Sequence, residues 1–214
     1  MWAAAPQRGP ASPPGKYTVR IAANGETKTR DFAIGIDPRL VVDGITEESL
    51  REQFTLSAQV RDRVSEANRA VVRIRSIRDQ VNERIGKVSA RRRAEIQKIA
   101  DGLLKPLTTV EEEVYQVRNR SSQDPLNYPI RLNNKIAALM GIIESADNRP
   151  TDQTYEVFKE LSAELEKQLQ QLQSTEKSEL TRLNAALKRE KVAPVDPDAK
   201  PAQPPPAPAT KPPQ

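Results

Sequence analysis

Apolar residues recur every three or four positions between Thr46 and about Val88, a spacing that predicts one long amphipathic helix. At about 1.5 Å per residue, this helix is on the order of 60 Å long. A helix of this kind is poorly stable by itself, so its apolar stripe requires partner helices. The stripe consists of Leu50, Phe54, Val60, Val64, Ala67, Val71, Ile74, Ile77, Val81, Ile85 and Val88.

A second helix is predicted after a turn at 86–89, with Ser89 as its N-cap and an end near Val117. Pro106 lies inside it and has no N–H to donate to the preceding turn, so a kink or short break is expected near Lys105. The apolar side of this helix holds Ile96, Ile99, Leu103, Leu104, Leu107, Val110, Val114 and Tyr115.

Two further helices follow. The third is expected to carry Pro129 in its first turn, because proline is tolerated there. Thr151 or Asp152 is expected to cap the fourth. The buried face of the third helix holds Ile130, Leu132, Ile136, Leu139, Met140 and Ile143, and the stripe of the fourth holds Phe158, Leu161, Leu165, Leu169, Leu172, Leu180, Leu183 and Leu187.

Two long and two shorter helices joined by turns predict a mainly α fold, an antiparallel up-and-down bundle over residues 46–191. A parallel coiled-coil dimer is the alternative, because the first stripe is close to a heptad repeat. Four stripes in one chain can cover each other, which favours the bundle. The first and fourth helices should then bury Val64, Val71, Ile74, Leu161, Leu165 and Leu172.

A β-hairpin is predicted before the helices, over Lys16–Ile36. Asn24-Gly25 marks its turn, because both turn residues must reach positive φ. On either side of that turn, apolar residues alternate with polar ones, as in a strand with one buried face. A lone hairpin is marginal in water, so residues 16–45 are interpreted as a hairpin and linker left from a larger β-sandwich. The alternating residues are Tyr17, Val19, Ile21, Phe32, Ile34 and Ile36.

The two ends of the chain are rich in proline. Residues 1–15 predict an irregular lead-in, and residues 192–214, with their Pro, Ala, Lys and Gln, predict a disordered tail. No apolar run is long enough to span a bilayer. Met1–Ala5 lacks the charged start and apolar centre of a signal peptide, so the location of the protein does not follow from these residues.

Composition narrows the possible chemistry. The chain of 214 residues has no Cys and no His, which excludes disulfides, thiol nucleophiles, Cys-ligated zinc and the commonest general base. The net charge is +5, and the basic excess lies on the first helix and its turn, densest at 91–93. These residues could form an anion- or nucleic-acid-binding face. Interleaved acidic residues and the lack of an aromatic platform favour a solvated helix surface instead.

Little in the sequence indicates catalysis. Glu111–Glu113 are consecutive and therefore point to different sides of a helix, and there is no phosphate loop, serine elbow or metal-ligand spacing. We therefore expect no catalytic residue, cofactor or metal. The stretch 119–134 is dense in Asn, Asp, Pro and Tyr, which can hold an irregular segment through side-chain to backbone hydrogen bonds. The candidate structural residues of this loop are Asn119, Asp124, Asn127, Tyr128, Arg131, Asn133 and Asn134.

The same loop carries a resemblance to a known family. Tyr115-Gln116 and residues 119–135, NRSSQDPLNYPIRLNNK, resemble the C-terminal region of large bacterial proteins with BNR-repeat, sortilin-like (Vps10-like) β-propellers. These are often labelled glycosyl hydrolase-like. Further similar stretches are PGKYTVR at 14–20, DPR at 37–39, RPT at 149–151 and YEVF at 155–158, and the likeness covers roughly residues 2–190.

The resemblance implies an order of propeller, β-sandwich and then this helical end, in a periplasmic or secreted protein. The hairpin would be the last part of that sandwich, and the propeller, with any hydrolase site, would be missing from this chain. No functional residue carries over. We therefore expect a non-catalytic helical module for packing or protein contact, with weak self-association through the hairpin. The alternatives are a glycosyl hydrolase-like protein by family assignment and an anion-binding helical protein.

Overall fold

The computed structural model describes residues 9–119 and 124–199. It is mainly helical, with a two-stranded antiparallel hairpin before the helices, so the predicted fold class is confirmed. Residues 1–8 of the predicted lead-in and 200–214 of the predicted tail lie outside the described residues. The elements are β1 (Gly15–Ala23), β2 (Glu26–Ile34), α1 (Pro38–Val42), α2 (Glu47–Lys87), α3 (Ala90–Val114), α4 (Leu132–Ile143), α5 (Asp152–Thr175) and α6 (Thr181–Arg189).

The long helix α2 has the boundaries that its pattern predicts. The Thr46 side chain caps its first turn by accepting a hydrogen bond from the amide of Ser49, at 3.1 Å. The apolar stripe is buried along most of its length, apart from partly exposed Phe54 and Val64. Leu56, which the predicted stripe leaves out, is also buried. Gln53 is buried because its amide donates to two main-chain carbonyls just past α4, Ile143 and Ala146.

Helices α2–α6 form three columns: α2 is the first, α3 and α4 together form the second, and α5 and α6 form the third. α3 packs antiparallel to the C-terminal half of α2, with Arg78 of α2 bonded to Glu111 of α3. α4 runs in the same direction as α3 and is therefore also antiparallel to α2. It lies beside the N-terminal half of α2, and Asn133 at its start contacts Asn68. α3 and α4 are thus successive segments of one column.

The predicted first helix is α2, and the predicted fourth helix begins with α5. These two helices run parallel, because the chain passes between them through a single column of opposite direction, formed by α3 and α4. Arg63 of α2 pairs with Glu166 of α5, and Arg73 pairs with Glu176 one residue past the end of α5. A four-column up-and-down order would make them antiparallel. Their burial follows the prediction: Val71, Ile74, Leu165 and Leu172 are buried, and Val64 and Leu161 are partly buried against the core.

Several predicted features of α3 and α4 need correction. α3 continues through Pro106 without the expected break and ends at Val114 rather than Val117. Ser89 precedes α3 but makes no capping hydrogen bond, since its hydroxyl contacts Glu190. α4 begins at Leu132, so Pro129 and Ile130 lie before it, and Ile130 is exposed rather than buried.

The third column is nearly continuous. Thr151, one of the two residues predicted as the cap, caps α5: its hydroxyl oxygen accepts a hydrogen bond from the amide of Thr154. A π-helical turn, Glu176–Leu180, joins α5 to α6. At the end of α6, Lys191 adopts a left-handed conformation with φ of 58°, and the amide of Val192 donates back to the carbonyl of Leu187 at 3.0 Å. This pair of features is a Schellman-type helix end.

The tail was expected to begin at Val192, and that boundary is wrong. Residues 192–199, here called the strap, lie against the helices, and Val195 of the strap is buried in the core. Low overall hydrophobicity suggested that this segment had nothing to bury. A single valine with bonded neighbours is sufficient to dock it, which a compositional argument does not detect.

Candidate protein-interaction surface

The register of the hairpin places its apolar side chains on one face. Tyr17 pairs with Phe32, and the two rings stack with centroids 5.7 Å apart. Because side chains two positions apart along a strand point to the same side, Val19 and Ile21 lie on the same side as this ring pair. Their cross-strand partners on that side are Arg30 and Lys28. Asn24 and Gly25, with φ of 52° and 82°, form the predicted turn. The hairpin face is defined as Tyr17, Val19, Ile21, Phe32 and Ile34.

The opposite side of the hairpin is polar. It carries Lys16, Thr18, Arg20, Thr29 and Asp31, and the Thr18 hydroxyl donates to Asp31 at 2.6 Å. The large apolar side chains are thus gathered on one side, next to Arg30 and Lys28, and a sheet with this pattern is typically covered on that side.

No helix of the described part of the chain covers the hairpin face. Val19 is 43% exposed, Ile21 64% and Phe32 48%. The base of the hairpin is attached to the preceding lead-in, since the Tyr17 hydroxyl donates to the carbonyl of Pro13 at 2.5 Å. The lead-in is also attached, through the Ala11 amide and the Glu144 carboxylate at 3.2 Å. The hairpin is thus anchored at one end with its apolar face in solvent.

Hydrogen exchange should separate the hairpin from the bundle. Amides of 18–34 are expected to exchange much faster than those of 64–81, because hairpin opening exposes little apolar surface that is not already in water. The measurement is exchange followed by mass spectrometry on dilute monomer. Equal protection in the two segments would contradict the view that the hairpin lacks a covering layer.

A residue outside the predicted set, Gln116, makes side-chain to backbone hydrogen bonds at the predicted structural loop. Gln116 is buried, its amide donates to the carbonyl of Pro129 at 2.8 Å, and its side-chain oxygen accepts from the amide of Arg118. The carbonyl of Asp124 accepts from the amides of Asn127 and Tyr128 in a short turn. A glutamine at the end of an amphipathic helix gives no local signal for this role.

The other predicted loop residues have separate environments. The ring of Tyr128 lies under the Arg118 guanidinium at 5.7 Å. The Arg131 carbonyl accepts from the amides of Asn134 and Lys135 at the start of α4. Asn133 is buried against α2, whereas Asn127 is exposed. The side-chain oxygen of Asn119 is buried and has no hydrogen-bond partner among the described residues. The seven residues therefore do not converge on one point.

Glu111 is the buried carboxylate of the α2–α3 interface. It accepts from Arg75 at 2.7 Å and from Arg78 at 2.6 Å, and Arg75 also lies over the ring of Tyr115, 5.0 Å from its centroid. Each oxygen of the carboxylate thus accepts a charge-assisted hydrogen bond from a different guanidinium group. This arrangement joins two helices.

Many basic residues of α2 are likewise used within the fold. Arg73 bonds Glu176 through two nitrogens, at 2.6 and 2.9 Å, and these bonds raise its pKa above the usual range. Arg63 contacts Glu66 and Glu166. The predicted basic face is therefore interrupted by ion pairs rather than being an open row of cations.

The described residues contain no group of three or more acidic side chains positioned to hold a metal ion. An open cleft of about 570 Å³ lies between α3 and the π-helical turn, lined by Gly102, Pro106, Ser174 and Glu179 among others. It contains one carboxylate, whereas glycoside hydrolysis generally uses an opposed pair about 5–10 Å apart. The chemistry expected of a glycosidase has no support at this cleft.

Comparisons with known proteins add no assignment. No protein-family model, curated protein or solved structure matches the chain. The likeness to sortilin-like propeller proteins therefore stays a prediction from the sequence. Within the described ranges, no helix has both the length and the apolarity needed to cross a bilayer.

Proposed function

We propose that this chain is a non-catalytic helical module that binds another protein domain through the hairpin face. The observation that carries the proposal is the exposure of an apolar sheet face whose reverse side is polar. Exposed apolar patches of this kind mark interaction sites in soluble proteins. The helical bundle serves as the rigid support from which the hairpin extends.

The partner that suits this face is a β-rich domain. Two sheets pack face to face at about 10 Å, with alternating apolar residues interdigitating between them. The five residues of the hairpin face supply the apolar part of such a layer, and Arg30 and Lys28, opposite Val19 and Ile21, lie beside them. The propeller and sandwich domains implied by the family resemblance would be β-rich partners of this kind, and they would belong to the same larger protein.

Two other functions have less support. A nucleic-acid interface would need free cations, whereas Arg63, Arg73, Arg75 and Arg78 of α2 are engaged with carboxylates. A glycosidase would need opposed carboxylates, and the residues that resemble the family lie in the helical end rather than in a propeller. Protein contact requires neither feature.

The test uses the polypeptide encoded immediately upstream of Met1, coexpressed with this chain. Phe32→Asp is expected to weaken copurification by at least about tenfold, because it removes a ring that the partner would cover and places a carboxylate in the contact, where it loses water. Val42→Asp is the matched control, since Val42 is 86% exposed in α1 and lies outside the hairpin face.

The expected result is that the native chain and Val42→Asp are retained equally by the partner, while Phe32→Asp is lost. Circular dichroism should show the same helix content in all three chains. Retention of Phe32→Asp at the native level would show that the hairpin face does not bind that partner.

A further inference from the structure

The strap, residues 192–199, is recognised by the helices as a bound peptide would be. Asn184 of α6 bonds both main-chain groups of Val195: its amide donates to the carbonyl at 3.0 Å, and its oxygen accepts from the amide at 2.8 Å. Gln80 of α2 does the same for Asp196, at 2.8 and 2.9 Å. Two side-chain amides thus take the place of a neighbouring β-strand.

Side-chain contacts add selectivity to these main-chain bonds. The side chain of Val195 is 2% exposed and belongs to the core. Arg73 donates to the Asp198 carboxylate at 2.5 Å, and the Ser76 hydroxyl contacts the carbonyl of Ala199 at 3.4 Å. The surface of α2 and α6 therefore fits an extended acidic segment that carries one β-branched residue.

Proline makes the strap a suitable ligand. Pro194 and Pro197 have no N–H groups, and the two amides between them are the ones bonded by Asn184 and Gln80. Proline also restricts the unbound segment, so less conformational freedom is lost on docking. The strap can consequently be recognised with few contacts.

The connection from α6 to the strap is a single strained residue. Lys191 has φ of 58°, a left-handed conformation that is unfavourable for residues other than glycine. The surface of α2 and α6 that binds the strap is here called the α2–α6 groove. If Lys191 left this conformation, the strap would leave the α2–α6 groove of its own molecule. The contacts of residues 195–199 would remain available in a second molecule, because both copies carry the same groove and the same strap, whereas the bond from the Val192 amide to Leu187 would be lost.

We propose that two copies of this chain exchange straps, so that residues 192–199 of one occupy the α2–α6 groove of the other. In the single molecule and in the dimer alike, the segment that occupies the groove is residues 192–199. Exchange conserves the contacts of residues 195–199, and relief of the positive φ at Lys191 offsets the two helix-end hydrogen bonds of Lys191 and Val192 that are given up, which makes exchange a low-cost route to a dimer. Within one molecule, tethering gives the strap a high effective concentration, so the exchanged form requires a concentrated sample.

Disulfide trapping tests the exchange cleanly, since the chain has no cysteine. Full-length Ser76→Cys and Ala199→Cys are mixed while reduced, concentrated and then oxidised. Exchange predicts a disulfide-linked heterodimer between them. A mixture of Val42→Cys and Ala199→Cys reports random collision, and the double variant Ser76→Cys/Ala199→Cys in dilute solution should close within one chain.

Two changes at the hinge should move the exchange in opposite directions. Lys191→Gly accepts positive φ without strain and is expected to lower the heterodimer yield about tenfold, whereas Lys191→Pro fixes φ near about −65° and should raise it. A heterodimer yield no higher than the collision control would overturn the proposal. Failure of the dilute double variant to close would overturn it as well, because the assigned strap contact would then be absent.

Discussion

Leu165→Ala is expected to lower the free energy of unfolding by about 2–5 kcal/mol. Leu165 is fully buried where α5 faces the other columns, and truncation removes its contacts and leaves a cavity that the surrounding helices fill only in part. The position on a long, rigid helix limits that relaxation. Urea denaturation followed by circular dichroism measures the change.

Val157→Ala is the matched control for Leu165→Ala, because Val157 lies on the same helix and is 41% exposed. Its expected cost is below about 1 kcal/mol, since little buried surface is lost. Similar losses for the two variants would mean that α5 does not bury the face assigned to it. The slope of unfolding free energy against urea should stay constant if only stability changes.

Glu111→Ala is expected to cost about 3 kcal/mol of unfolding free energy. The change removes the shared acceptor of Arg75 and Arg78, leaving two guanidinium groups without their partner at the α2–α3 interface. Both arginines are partly exposed and can turn toward water, which keeps the loss at the lower end for a buried ion pair. Thermal and urea denaturation measure it.

The neighbouring Glu112→Ala serves as the control for Glu111→Ala. Glu112 carries the same charge on the same helix but is exposed, so its removal should change stability by less than about 0.5 kcal/mol. Equal effects of the two changes would indicate a general charge effect rather than the specific contact. In a variant that also carries Arg75→Met and Arg78→Met, the cost of Glu111→Ala should shrink, because the charges that it leaves unpaired are gone.

The hairpin and the bundle have different relations to water, and this difference links fold to function. The bundle buries apolar side chains from all three columns, including Ile74, Leu103 and Leu183. The hairpin, by contrast, buries almost none of its apolar side chains. The helices therefore supply the stability of the fold, and the exposed sheet face is the surface to which the proposed function assigns a partner.

Local chemistry made several elements predictable from the sequence. The boundaries of α2 follow from its apolar period and from Thr46, whose hydroxyl can cap the first turn without help from distant residues. The Asn24-Gly25 turn is equally local, because positive φ is a property of those two residues. The burial of Leu165 follows in the same way from the three- and four-residue spacing of apolar side chains along α5.

The sequence also placed special residues in the loop, but it could not identify their partners. Asn133 reaches Asn68, 65 positions away, and Gln116 holds the loop through Pro129. A hydrogen bond between distant residues depends on how the columns pack, and no local pattern records it. The loop residues were predicted as a set, whereas their contacts are separate.

Tertiary structure decided the order of the columns and the course of the strap. The repeat of apolar residues fixes which face of a helix is buried, but it is the same whether α2 and α5 run parallel or antiparallel. Gln80, Asn184 and Val195 are unremarkable in sequence and become a docking site only when α2 and α6 lie side by side. Local periodicity therefore determined the elements, and contacts between distant residues determined their arrangement.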